Sequence, residues 1–135
     1  MKNVRETKST PVETSGKLPR LPFSRLKDAI LGPAYELSVA SVSASVSQKL
    51  NAHYRGKNNP TNILSFPLTK KSGELILHLP TARKEYKKFG MTYDDFLVYL
   101  VIHGMLHLKG MEHGGIMERA ERKFGALFGI EIHNE

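Results

Sequence analysis

Three of the six histidines fall within the stretch HGMLHLKGMEH, residues 103–113. His103 and His107 are four residues apart, so on an α-helix they lie on one face with their β-carbons about 6 Å apart. Two imidazoles at that distance can bind a single metal ion through bonds of about 2.1 Å. The stretch therefore predicts a metal site whose first two ligands stand on one helix.

His113 can join this site only if the helix ends before it. In a continuous helix it would lie about 9 Å beyond His107, at about 1.5 Å per residue, and on another side. Gly110 removes the obstacle, because glycine readily takes the left-handed conformation that ends a helix and turns the chain back. The pattern H-x3-H-x2-G-x2-H thus predicts two ligands on a helix and one on the loop that follows.

A set of three histidines favours a catalytic zinc ion. Three neutral imidazoles occupy three corners of a tetrahedron and leave the fourth for water or substrate. The chain has no cysteine, so thiolate sites are excluded and a transition metal must use histidine or carboxylate ligands. The other histidines, His53, His78 and His133, lack this spacing and are expected on the solvated surface, although His53, beside the basic segment, can still border the site.

The same spacing occurs in metzincin peptidases, but with a difference. Those enzymes have a glutamate directly after the first histidine, where it acts as the general base. Gly104 stands at that position here and cannot accept a proton. A zinc metallopeptidase or another zinc hydrolase therefore stays open only as an alternative that needs a distant carboxylate.

The elements that must position the histidines are predicted from hydrophobic periodicity. Tyr93 to about Lys109 is apolar nearly all round and predicts a buried central helix that carries His103 and His107. The last helix is predicted from residue 116, with an apolar stripe of Ile116, Ala120, Phe124 and Leu127. Strands are predicted at Tyr35–Ser43, at NILSF and at ELILHL, the last two as a hairpin. This order predicts an α+β fold, a small mixed sheet packed with several helices.

The domain organisation follows from composition. Residues 1–20 are polar, contain five basic and two acidic side chains, and predict a flexible basic tail. Residues 21–135 are expected to form one metal-dependent domain. The longest uncharged apolar stretch, Phe96–Leu108, is shorter than the roughly 20 residues that span a bilayer. With no apolar secretory segment visible, we expect a cytoplasmic protein without a membrane partner.

Positive charge is concentrated in one segment of the predicted domain. The net charge is +7, and residues 54–71 contain Arg55, Lys57, Lys70 and Lys71 with no acidic residue. Part of this segment, YRGKNNPT, is predicted as a polar loop. A local positive field of this kind suits a polyanion such as nucleic acid, although a basic loop can also serve solubility alone.

Three stretches together resemble the YbeY family of bacterial ribosomal-RNA maturation factors, which are zinc-dependent endoribonucleases. They are LNAHYRGKNNPTNILSFP, GELIL and HGMLHLKGMEH, in the family's order and spacing. The resemblance implies one Zn²⁺ bound by His103, His107 and His113, and a catalytic role for Arg55. It also implies a single-strand-specific endoribonuclease that acts in rRNA maturation, at the 3′ end of 16S rRNA, and in ribosome quality control. The implied partners are rRNA and the ribosome or its proteins, with no DNA expected.

Some residues depart from the family pattern. Met111-Glu112 stands where Tyr-Asp is common, Gly73-Glu74 where Gly-Asp is frequent, and Asn62 where many members have aspartate. Glu112 is one methylene longer than aspartate. We hypothesise that it orients a bound water molecule or a ligand ring, as carboxylates near metal sites do.

The basic residues fit phosphodiester cleavage. Arg55 can pair with a phosphate and stabilise the charge that develops in the transition state. Lys57, Lys70 and Lys71 are expected to bind the RNA backbone without reading its sequence, and Arg83, Lys84, Lys87 and Lys88 are weaker candidates. The nucleophile can be water or the RNA 2′-hydroxyl. A ribosome-associated assembly factor with a mainly structural zinc is a further alternative.

Overall fold

One mixed sheet of four strands forms the base of the molecule in the part described by this computed structural model, residues 8–133. The strands lie in the order β1-β2-β4-β3. β1, β2 and β4 run parallel, and β3 runs antiparallel to β4. Their bounds are Glu13–Ser15 for β1, Glu36–Ser41 for β2, Ile63–Thr69 for β3 and Ser72–Leu77 for β4.

The inner strands follow the predicted alternation. Leu37 and Val39 of β2 are buried, with their neighbours in the strand more exposed, which is the period of a strand with one face on a core. β3 and β4 form the predicted hairpin, in which Leu64 pairs with Ile76. The predicted strands are therefore confirmed, together with the α+β fold.

β1 corrects the prediction of a flexible tail through residue 20. Residues 13–15 pair with residues 38–40 of β2, so the prediction is wrong at this strand, while residues 1–7 of the predicted tail lie outside the described residues. All three side chains of β1 are exposed, so hydropathy within the strand gives no signal; the strand pairs through its backbone, and Val12 just before it packs against the core. Gly16 follows β1 directly and has φ +78°. A β-carbon on Gly16 would lie 2.4 Å from the Ser41 hydroxyl oxygen, so the backbone needs glycine here.

Five helices accompany the sheet in the described part of the chain. The helix α4, Tyr93–Leu108, is buried along most of its length, as predicted, and Thr92 caps it by accepting a hydrogen bond of 3.1 Å from the Asp95 N–H. No helix among residues 8–133 is both long enough and apolar enough to cross a membrane. The bounds are Phe23–Ile30 for α1, Ala44–Arg55 for α2, Leu79–Glu85 for α3, Tyr93–Leu108 for α4 and Gly115–Leu127 for α5, with a 3₁₀ turn at Tyr86–Phe89.

α4 approaches the sheet at Gly104. A β-carbon there would lie 2.8 Å from side-chain atoms of Ile63 and Leu75, and the Ser65 hydroxyl donates to the Gly104 carbonyl at 3.0 Å. The glycine is therefore required by the contact between helix and sheet. A glutamate in its place would point into β3 and β4 rather than toward a reaction.

α5 presents a different face to the core from the one predicted. Ile116 and Leu127 are exposed, whereas Met117, Glu121 and Phe124 are buried. The predicted stripe is therefore wrong at Ile116 and Leu127 and confirmed at Ala120 and Phe124. The inner face of α5 contains an acid, and that acid contacts the histidine cluster.

Candidate metal centre

The end of α4 supplies the chain reversal that the sequence predicts. Gly110 has φ +101°, in the left-handed region. Its N–H donates to the His107 carbonyl at 2.9 Å, and the Met111 N–H donates to the Leu106 carbonyl at 3.0 Å. These bonds close the helix and direct residues 111–113 back along it, so the predicted reversal is confirmed.

The three histidines of the stretch meet at one point. One ligand nitrogen from each of His103, His107 and His113 lies within 4.8 Å of the others, and the Nε2 atoms of His103 and His107 are 3.2 Å apart. Two nitrogens bound to a tetrahedral zinc at about 2.1 Å would lie roughly 3.4 Å apart. The donor set and this separation fit a zinc ion, with His113 exposed at the open side.

The far nitrogens of two rings are held by acceptors. His103 Nδ1 lies 2.6 Å from Glu121 Oε2, and His107 Nδ1 lies 3.0 Å from the Met111 carbonyl oxygen. When Nδ1 donates to these oxygens, the lone pair of each neutral ring is on Nε2, the atom that faces the cluster. The turn at Gly110 thus has two effects, since it brings His113 into place and supplies the carbonyl that orients His107.

Glu121 is the site residue that the sequence analysis missed. Its side chain is 3% exposed, although it belongs to a helix whose other acid, Glu118, is only partly buried. The sequence does indicate that Glu121 is buried, because Met117, Glu121 and Phe124 recur at the spacing of one helical face. Glu112, by contrast, is exposed, so its proposed role in orienting water or a ring stays a prediction.

The electrostatic setting keeps His107 neutral. Burial lowers the pKa of His107 below 6.5, and the neighbouring His103 lowers it further. Tyr99 lies beside the cluster, its ring centroid 5.8 Å from that of His103. Burial, with Glu121 and Glu118 nearby, raises the pKa of Tyr99 to about 12, so it keeps its proton at neutral pH.

Two clefts meet at the histidines. The α5 cleft, of about 600 Å³, is lined by His103, His113 and Glu121 together with Phe89 and Tyr99. The β3 cleft, of about 420 Å³, is lined by Tyr54, Arg55, residues 63–66, His107 and His113. His113 lines both, so a chain-like ligand could run from one cleft to the other across the cluster.

Arg55 lines the β3 cleft with two of the histidines, as a catalytic role requires, but it does not belong to a loop. It is the last residue of α2, and Gly56 ends the helix with φ +68°. This corrects the prediction of a loop starting at Tyr54. The side chain is exposed, and its Nη1 donates to the Thr61 hydroxyl at 3.5 Å.

The buried face of α2 is polar, so hydrophobic periodicity does not mark this helix in the sequence. Ser47 and Asn51 are each 1% exposed. The Ser47 hydroxyl donates to the Thr61 carbonyl at 3.0 Å and accepts from the Thr61 N–H at 2.9 Å, and Asn51 donates to the Asn59 carbonyl at 2.8 Å. These bonds hold residues 59–61 against α2 beside Arg55.

Asn62 follows residues 59–61 directly. Its side-chain contact accounts for one departure from the family pattern. Its amide donates to the Glu85 carboxylate at 2.7 Å, across from the start of β3. An aspartate at this position would place a second negative charge against Glu85 unless one of the two were protonated. The amide therefore suits the glutamate that this chain has on α3.

The predicted RNA-binding lysines are spread over the surface. Lys57 is exposed just beyond Arg55, whereas Lys70 and Lys71 lie at the turn between β3 and β4. At about 3.4 Å per strand residue, the end of β3 at Thr69 is roughly 10 Å beyond Phe66, the last residue of β3 in the cleft, and Lys70 follows Thr69. Neither turn lysine lines a cleft, whereas Lys88 lines the α5 cleft.

One histidine outside the cluster is not on the surface as predicted. His78 is 5% exposed, and its Nδ1 lies 2.7 Å from the Thr81 hydroxyl. That expectation is wrong, because His78 follows β4 directly and its ring is covered where α3 begins. His53 and His133 are exposed, as expected.

Comparison with known proteins shows the family that this chain resembles. The family model described as Endoribonuclease YbeY matches residues 6–126. A protein named Endoribonuclease YbeY from Alkalilimnicola ehrlichii is 34% identical over an alignment of 136 positions, which covers 86% of this chain and 81% of that protein. Another of that name, from Persephonella marina, is 33% identical over 104 residues, 71% of this chain and 65% of that protein.

The chain covers only part of one relative, and its fold is similar to that of one solved structure. This chain spans just under two thirds of the Persephonella marina protein, at 65%. A solution structure of a Thermotoga maritima protein is similar with a TM-score of 0.55 at 24% identity, covering 85% of this chain and 87% of that one. At that identity the likeness concerns the fold alone.

Proposed function

The chain belongs to the YbeY endoribonuclease family, and from that premise we propose that it is a zinc-dependent endoribonuclease that cleaves single-stranded RNA. One observation carries the proposal. Three histidine nitrogens converge within 4.8 Å of one another, and the β3 cleft that two of these histidines line also contains Arg55. A metal site and a phosphate-pairing cation in one open groove suit phosphodiester chemistry.

His103, His107 and His113 would hold the ion, with Glu121 and the Met111 carbonyl fixing the first two rings. When bound, zinc supplies Lewis acidity toward a phosphoryl oxygen or a water molecule. Arg55 binds the phosphate from the other wall of the cleft and stabilises negative charge that grows on its oxygens in the transition state. The guanidinium is exposed, and within residues 8–133 its hydrogen bond is the long one to the Thr61 hydroxyl, so it is available to an incoming phosphate.

Peptide hydrolysis has less support. Gly104, where a metzincin peptidase has its glutamate base, packs against Ile63 and Leu75 and leaves no room for a side chain. Glu121 is the buried acid of the site, and its carboxylate is engaged with His103. Neither residue therefore offers a free base beside the cluster.

The wider role follows the family. We infer that the substrate in the cell is rRNA, that the protein acts at the 3′ end of 16S rRNA and in ribosome quality control, and that it does so in the cytoplasm. The alternative of an assembly factor with structural zinc predicts metal binding without cleavage. The exposed position of His113, which leaves the cluster open to ligands, favours the enzyme.

A cleavage assay with three substrates tests the proposal. The zinc-loaded chain is incubated with single-stranded RNA, with duplex RNA and with a panel of peptides, beside His107→Ala. We expect cleavage of the single strand only, lost in the variant, and the product ends distinguish water from the 2′-hydroxyl as nucleophile. Peptide cleavage that depends on His107, or an intact single strand, would overturn the proposal.

A further inference from the structure

Exposed aromatic rings stand on both sides of the histidine cluster. Among the described residues, six large apolar side chains are exposed, and only two of them, Tyr54 and Phe89, are aromatic. Tyr54 is 60% exposed and lines the β3 cleft, and Phe89 is 50% exposed and lines the α5 cleft. The four exposed aliphatic side chains line neither cleft; they are Val46, Leu68, Ile116 and Leu127.

Each ring is held in place by another ring. The Phe89 centroid is 4.8 Å from that of Phe96 on α4, and the Tyr54 centroid is 4.8 Å from that of Phe66 on β3. Aromatic pairs of this geometry are favourable beyond the area they bury. The two rings are thus exposed yet anchored, as a stacking platform must be.

A cation stands next to each ring. Arg55 follows Tyr54 and Lys88 precedes Phe89, and both cations line the cleft of their aromatic neighbour. Proteins that bind single-stranded nucleic acid combine basic groups that follow the backbone with aromatic rings on which bases stack. The α5 cleft also contains the carboxylate of Glu118, which disfavours phosphate there but can accept from the amino group of a base.

We propose that Tyr54 and Phe89 are stacking platforms for two unpaired bases that flank the phosphate bound at the histidine cluster. This proposal rests on the proposed function and adds the source of its single-strand specificity. Bases within a duplex are stacked on each other and cannot lie against protein rings, whereas the bases of a single strand can turn into the two clefts. Phe89 receives the base on the α5 side, and Tyr54 receives the base on the β3 side.

Fluorescence of 2-aminopurine tests the proposal, because the emission of this base falls when it stacks on an aromatic ring. A short single-stranded RNA that carries 2-aminopurine at successive positions is titrated with the zinc-loaded full chain, and its integrity is checked by gel electrophoresis. We expect quenching at two separated positions. Phe89→Ala should abolish it at one and Tyr54→Ala at the other, each with roughly tenfold weaker binding. Binding of duplex RNA should not change.

Matched variants separate stacking from packing. Phe89→Leu keeps an apolar contact with Phe96 but removes the aromatic face, so it should behave like Phe89→Ala, whereas Phe89→Tyr and Tyr54→Phe should bind like the original chain. Leu127→Ala removes an exposed apolar side chain outside both clefts and serves as the control. Thermal melting and zinc content show which variants are folded.

The outcomes are distinct from those of the cleavage assay. If Phe89→Leu and Tyr54→Ala bind single-stranded RNA and quench it like the original chain, the proposal is overturned even though the chain cleaves RNA. Equal losses for single-stranded and duplex RNA would also overturn it. Conversely, an RNA that binds with position-specific quenching but is never cut would refute the proposed nuclease and leave the two platforms standing.

Discussion

The two walls of the β3 cleft hold their functional side chains in opposite ways. On one wall, His107 is half-buried on α4, and its Nδ1 is fixed by the Met111 carbonyl at 3.0 Å. On the other, Arg55 is exposed at the end of α2 and donates a long hydrogen bond of 3.5 Å to the Thr61 hydroxyl. A metal site gains affinity when its ligands are already in place, whereas a phosphate-binding arginine can adjust to a substrate that arrives.

The difference extends to the scaffold behind each wall. The histidine wall rests on apolar packing, in which α4 contacts the sheet so closely that Gly104 has no room for a β-carbon. The arginine wall rests on polar contacts, in which Ser47 and Asn51 hold residues 59–61 by side-chain hydrogen bonds. We therefore expect changes in the first wall to act on metal binding and changes in the second to act on catalysis.

The largest expected effect comes from His107→Ala. Loss of a ligand should weaken zinc binding by more than about 100-fold, since even residues that only support a ligand account for 10- to 100-fold. RNA cleavage should disappear with the metal. Zinc affinity from a competition titration with a chelator measures the effect, and an affinity within a factor of two or so of the original chain would remove His107 from the site.

Arg55→Ala should lower catalysis without changing metal binding. We expect cleavage to fall by about 10²- to 10³-fold, as for loss of a donor that stabilises transition-state charge, with zinc affinity unchanged. Arg55→Lys should recover only part of the rate, because lysine lacks the planar pair of donors. Single-turnover cleavage rates and the zinc content of each variant measure these effects. Loss of zinc in Arg55→Ala would show that the arginine wall also affects metal binding.

Glu121→Gln tests the support behind the first wall. The amide removes the charge but keeps the size of the side chain, so zinc affinity should fall by about tenfold through weaker hold on His103. Glu118→Gln is the matched control, because Glu118 lines the same cleft and belongs to the same helix. Equal zinc affinities for the two variants would contradict a positioning role for Glu121.

Ser47→Ala tests the polar scaffold behind the second wall. The change leaves the N–H and carbonyl of Thr61 without their partner, which should lower the free energy of unfolding by about 1–3 kcal/mol. Zinc affinity should not change, whereas cleavage should fall several-fold because the segment beside Arg55 is loosened. Urea unfolding with zinc present, together with cleavage rates, checks both expectations, and intact stability would show that water replaces the hydroxyl.

The smallest expected effect concerns pH and a buried histidine away from both walls. Burial, and to a lesser extent Lys84, lower the pKa of His78 below its ordinary value of 6.5. Above 6.5 both folded and unfolded chains leave this ring neutral. As the pH falls below 6.5 the unfolded chain takes up the proton first, so stability declines until the folded pKa is passed.

His78→Asn removes this titration and keeps a polar atom near the Thr81 hydroxyl. The loss of stability between pH 6.5 and lower pH should therefore be smaller in the variant than in the original chain. Urea unfolding at several pH values, with zinc present in both proteins, measures the difference. If the free energy of unfolding depends on pH in the same way in both proteins, His78 does not contribute to the loss of stability in acid. That loss would then come from other groups.

Much of the fold and of the site could be predicted, because the signals were local. The apolar run of α4, the spacing of His103 and His107 and the glycine at 110 each act within a few residues of the chain. Three features could not be predicted, because they depend on partners distant in sequence. Glu121 matters through the rotation of α5 against α4, β1 pairs through its backbone while its three side chains are exposed, and α2 buries a polar face instead of an apolar one.

The most direct test of the account is a zinc titration of the metal-free chain followed by RNA cleavage. We expect cleavage to rise in proportion to added zinc and to level off at one ion per chain, with no rise in His113→Ala. A site that reached full activity without metal, or an activity that rose equally in His113→Ala, would contradict the claim that the reversal at Gly110 completes a catalytic metal centre.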